Sequence, residues 1–127
     1  MDQKTLNQLV QQAEERKLFL RIKKGEEYCR GSKDVLENFK RVAHGCGLTP
    51  MQAWFVYAHK HFDSIANYVR TGKTVSNETI ISRIDDLEVY LNLFRGLVHE
   101  NELNSQTEQT IFDTTTSIEI LPNELPI

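Results

Sequence analysis

The stretch Ile80–Val98, IISRIDDLEVYLNLFRGLV, decides the fold. Within it Ile80, Ile84, Leu87, Leu91, Phe94 and Val98 step by 4-3-4-3-4, the spacing that lines one side of a helix turning 100° per residue. This stripe is expected to be the core seam. Ser76 stands as the helix N-cap, and Val75 is placed to staple onto Ile80.

Working backward, Thr71-Gly72-Lys73 turns the chain, and a further helix fills the space from Thr49-Pro50 to about Arg70. A capping hydroxyl followed by Pro at the first helical position is a strong start signal. Met51–Ala58 is apolar all round, which predicts burial on several sides. Phe55, Ala58, Phe62, Ile65, Ala66 and Val69 form the expected core stripe. The preceding helix opens at Asp34, whose spacing to Glu37 suits a capping box. It points Leu36, Phe39, Val42 and Ala43 inward and ends in His44-Gly45-Cys46-Gly47, with glycine suited to a left-handed cap. The first helix, about Thr5 to Lys24, carries Leu6, Leu9, Val10, Ala13 and Leu20, widened by Leu18, Phe19 and Ile22. An exit is expected near Gly25–Gly31. Four helices with short connections predict an all-α, four-helix antiparallel bundle over residues 1–103. Residues 104–127 are polar and Thr-rich and hold two of the three prolines. They read as a flexible or arm-like tail, with alternation at Ser117–Leu121 that suits a short strand.

Composition bounds the rest. The 127 residues leave room for one domain, and 39% hydrophobic with 26% charged residues at net charge −3 excludes collagen-like arrays and wholesale disorder. No apolar run reaches the roughly 18 residues of a membrane span. The opening Met1-Asp2-Gln3-Lys4 lacks a signal-peptide core. Two cysteines, Cys29 and Cys46, make a poor disulfide framework and read as reduced thiols, so a cytoplasmic location is expected. Charge is uneven: residues 1–75 hold 13 Lys/Arg against 8 Asp/Glu, residues 76–127 only 2 against 10. That asymmetry favours intramolecular pairing or antiparallel self-association and argues against a sequence-specific nucleic-acid binder. The basic cluster Arg16, Lys17, Arg21, Lys23, Lys24, Arg30 and Lys33 suits either the phosphates of a small ligand or a solvated helix face.

Several chemistries fall away. His44 and Cys46 have no third group to make a nucleophile, and His59 and His61 lie about 200° apart on one helix and cannot share an ion. There is no Gly-rich phosphate loop. Helix-borne carboxylates remain, because Mg²⁺ takes hard oxygen donors in octahedral geometry. Glu26, Glu27 and Asp86 are the candidates, with Arg83 one turn from Asp86, and Lys60 at the end of the apolar half of its helix.

The motifs KGEEY at 24–28, DVLENFK at 34–40, GLTP at 47–50, KHFDSI at 60–65 and RIDDLEVYL at 83–91 occur in that order. Over about residues 15–100 the chain thereby resembles small phage-encoded proteins related to the MazG-like all-α nucleotide pyrophosphohydrolases and to nucleotide-modification-associated domains. The resemblance implies a dimeric or tetrameric four-helix fold acting on a nucleotide in the host cytoplasm. It also implies Mg²⁺-dependent cleavage of a nucleoside triphosphate to monophosphate and pyrophosphate. Carried over by position, Glu27 and Asp86 would be catalytic, and Glu26, Glu27 and Asp86 the metal-side acids. Lys24, Asn38, Lys60 and Arg83 would hold substrate. The family's Glu-x-x-Glu and Glu-x-x-Asp pairs are altered, with Lys23 and Lys24 three residues before Glu26 and Glu27, and Arg83 three before Asp86. Two alternatives follow: a nucleotide-binding module without catalysis, or an interaction protein that assembles or contacts a host protein.

Overall fold

A computed structural model describes the backbone of residues 1–28 and 33–120 and the side chains of residues 1–23 and 33–114. Four helices account for the architecture: α1 (Gln3–Tyr28), α2 (Glu37–Cys46), α3 (Pro50–Thr71) and α4 (Ile80–Ile120). Helices α3 and α4 run antiparallel, with Trp54 stacked on Phe94 and His61 against Tyr90. Short α2 leans on this pair, and α1 lies along the N-terminal half of α4. The core is small: Leu36, Phe39, Trp54, Ala58 and Leu97 are buried, with Met51, Tyr90, Leu93 and Phe94 packed around them.

The helix ends follow local chemistry. The Thr49 hydroxyl accepts from the Gln52 N–H while the Gln52 side chain accepts from the Thr49 N–H, a complete capping box ahead of Pro50. Gly47 (φ 67°) and Gly72 (φ 68°) end α2 and α3 in the left-handed conformation that glycine adopts at least cost. Two caps differ from expectation. Helix α2 begins at Glu37, because Asp34 uses its carboxylate on the Leu36 N–H and on Lys40 instead. Helix α4 begins at Ile80 with Thr79 accepting from the Ser82 N–H, while Ser76 accepts from the Glu78 N–H and Val75 stays exposed, forming no staple. Residues 117–120, whose alternation suggested a strand, continue α4.

The largest correction concerns which faces are covered. On α4 the buried residues are Asp85, Val89 and Leu97, well round the helix from the expected seam. Ile84 and Leu91, at the centre of that seam, are exposed. On α3, Ala58 turns inward as expected, but Phe55, Val56, Phe62 and Val69 face solvent. Among the described side chains of α1, Ala13, Lys17 and Leu20 are sheltered, and Leu6, Leu9, Val10, Leu18, Phe19 and Ile22 are exposed. The reason is geometric. Helices α1 and α2 both sit on the Asp85–Val89–Leu97 side of α4 and α3 covers the Phe94 edge, so the middle of the most apolar stripe, Ile84 and Leu91, is left exposed.

Candidate functional site

Between α1 and α4 runs an open groove of about 600 Å³ lined by Glu15, Arg16, Phe19, Leu20, Glu78, Ser82, Asp85 and Asp86. Ion pairs build its walls. Arg16 donates from Nε to Oδ2 of Asp85 at 2.8 Å and from a terminal nitrogen to Oδ1 at 3.2 Å, a bidentate clamp on a carboxylate that is otherwise buried. The hydrogen bond to Asp85 holds the Arg16 guanidinium above its ordinary value. One residue on, Lys17 is almost fully buried and donates to Glu14 at 2.5 Å and to Glu88. Burial alone would lower the Lys17 ammonium, but the bonds to Glu14 and Glu88 outweigh it and hold it above its ordinary value.

The sequence candidates distribute unevenly over this geometry. Asp86 lines the groove and is half-buried. Arg83 sits at its rim, 3.1 Å from Glu78, and also donates to the Ser76 hydroxyl. Asn38 is on α2, accepting from Arg41 at 2.7 Å, and Lys60 is exposed on α3; neither lines the groove. The side chains of Lys24, Glu26 and Glu27, and all of Cys29, lie outside the described residues. Cys46 is a free, exposed thiol.

The sequence placed Arg16 and Lys17 in a basic cluster but did not pair them with Asp85 and Glu88, which frame the groove with them. A signal existed. Arg16 and Lys17 fall in the basic half, Asp85 and Glu88 in the acidic half, and the pairs Arg16–Asp85, Lys17–Glu88 and Lys40–Glu100 are the intramolecular pairing the charge asymmetry favours. The partners are 60 or more residues apart, so no local spacing could match them.

Among the described residues no three His, Cys, Asp or Glu side chains are grouped to hold a metal ion. Asp85 is committed to Arg16, so the other carboxylates lining the groove are Glu15, Glu78 and Asp86. No helix among the described residues is long and apolar enough to cross a membrane. The chain is thus an all-helical protein with a charged groove along α1 and α4. No family model, curated protein or solved structure matches it.

Proposed function

We propose that this chain acts on a nucleoside triphosphate that enters the α1–α4 groove as its magnesium complex. The reaction is cleavage to a monophosphate and pyrophosphate, as the resemblance to MazG-like proteins implies. The observation that supports this reading is the charge of the groove. Glu15, Glu78, Asp85 and Asp86 line it against Arg16, with Arg83 at the rim. A bare polyphosphate would be repelled there, whereas a divalent cation roughly halves the charge of the polyphosphate and itself faces the carboxylates. The volume falls within the roughly 300–1,000 Å³ of small-molecule sites.

In this reading Asp86 accepts the proton of the attacking water, and Arg83 meets a phosphate oxygen. The resemblance adds Glu26, Glu27 and Lys24, whose side chains lie outside the described residues. The test is product-resolved chromatography of a panel of ribo- and deoxynucleoside triphosphates incubated with the protein and Mg²⁺. Monophosphate and pyrophosphate are expected, and both should be lost in Asp86→Asn and Glu27→Gln. Unchanged nucleotides overturn the catalytic reading. If binding in Mg²⁺ persists without turnover, the groove is a nucleotide-binding site only.

A further inference from the structure

The apolar stripes left open on α3 and α4 belong to one surface. Trp54 against Phe94 and His61 against Tyr90 fix the antiparallel register of the two helices. Going round α4 at 100° per residue, the residues met by α1 (Asp85, Glu88), α2 (Gly96, Glu100) and α3 (Tyr90, Phe94) occupy successive sectors. The remaining sector holds Ile84 and Leu91, 38% and 42% exposed. On α3, α2 takes the side of Ala53 and Tyr57 and α4 the side of Trp54 and His61. Beyond α4 stand Phe55, Phe62 and Val69, 61%, 48% and 78% exposed. In this register Phe55, Leu91, Phe62, Ile84 and Val69 follow one another along a two-helix face, on the opposite side of the α3–α4 pair from α2.

We propose that this face is the interface for a second copy of the same chain, packed so that the two α4 helices run antiparallel about a two-fold axis near Leu91. Three observations select that occupant. First, the exposed members of both stripes repeat every seven residues, 55, 62, 69 on α3 and 84, 91 on α4, the spacing of helices that pack on helices. Two such pairs face to face make the four-helix core that a single chain does not complete.

Second, the charges beside the stripe are self-complementary. Glu88, Arg95 and Glu102 are seven residues apart, alternate in sign, and lie within about 60° of Leu91 around the helix. Arg95 is exposed and forms no ion pair among the described residues. With the axis near Leu91, each Arg95 meets Glu88 of the second copy, and the exchange occurs twice, as an isologous contact requires. A parallel pairing in register would instead set Arg95 against Arg95.

Third, the area is appropriate. The five residues expose roughly 400–500 Å² of largely apolar surface, given about 150–250 Å² for a whole aromatic side chain. With a polar rim added, this approaches the roughly 800 Å² per partner of a standard interface. The proposal is independent of what the α1–α4 groove binds.

The test is light-scattering mass of the full chain during size-exclusion chromatography. The wild type should run at twice the 14.7 kDa chain mass. Leu91→Glu and Phe62→Glu should run as monomers with unchanged far-UV circular dichroism. Arg95→Glu, at an exposed site that leaves the fold intact, should weaken the dimer on the order of tenfold through like-charge contact with Glu88. In a Cys29→Ser, Cys46→Ser background, Leu91→Cys should oxidise to a covalent dimer. A wild-type monomer at micromolar concentration overturns the proposal. So does a dimer insensitive to both Phe62→Glu and Arg95→Glu, which would place the contact, or a different partner's site, elsewhere.

Discussion

The indole N–H of Trp54 donates to the main-chain carbonyl of Tyr90 at 2.7 Å, tying the start of α3 to the N-terminal third of α4. Because the Trp54 ring also stacks on Phe94 with centroids 4.4 Å apart, one side chain supplies apolar burial and a polar tether together. Removing the whole ring should be far more costly than removing the tether. Trp54→Ala is expected to cost about 3–5 kcal/mol, and Trp54→Phe about 1–2 kcal/mol from the lost hydrogen bond. Urea unfolding followed by circular dichroism at fixed chain concentration measures both. Equal costs would show that the Tyr90 contact contributes most of the effect.

Gly96 lies inside α4 facing Leu36, and a methyl group there would meet the Leu36 side chain at 3.5 Å, an ordinary van der Waals contact. Gly96→Ala should therefore stabilise the protein by about 0.5–1 kcal/mol, since it only removes the helix-interior cost of glycine. Gly96→Leu should destabilise it by about 1–3 kcal/mol through overpacking against Leu36. The same urea titration decides the sign.

The Thr49 box is the one complete two-way cap in the structure's described helices. Thr49→Ala should lose about 1 kcal/mol, and Thr49→Asp should recover most of it. Thermal unfolding of the three proteins checks the order.

Stability should be flat near neutrality and fall on both sides. The Asp34 carboxyl sits below its ordinary range, chiefly because Lys40 donates to it at 2.5 Å. Its contribution is present above the unfolded value of about 3.9 and is lost as pH falls through the lower folded value. Lys40, raised by Asp34 and then by Glu100, has the opposite sign. So has Lys17, where burial is outweighed by Glu14 and Glu88. Both contributions are fully present below about pH 10.4 and vanish as pH rises through the higher folded values. Lys40→Met should flatten part of both arms of a pH–stability curve, while Lys17→Met should flatten only the alkaline one.

Much of the fold was legible because its signals are local. Thr49-Pro50, Gly47 and Gly72 act within a few residues of themselves, and each ends or begins a helix as expected. Helix α3 ends within a residue of its expected bounds. The cap of α2 was misplaced because Asp34 had a competing partner, Lys40, one and a half turns away. Of the candidate site, Asp86 and Arg83 lie at the groove, but Arg16 takes its partner Asp85, and Lys17 its second partner Glu88, from some 70 positions away.

The sequence by itself determined that the chain is helical, where two of its turns fall, and which stripe of each long helix is the most apolar. Tertiary structure alone decided which stripe the chain covers with itself. Periodicity reports a helix's preference for burial, but the covering surface depends on where the neighbouring helices can reach. Here α1 is drawn to the charged side of α4 by Asp85 and Glu88, and α2 packs on the adjacent side through Leu36 and Lys40. Ile84 and Leu91 are left facing outward because the apolar stripe and the ion-pairing stripe are on different sides of the same helix.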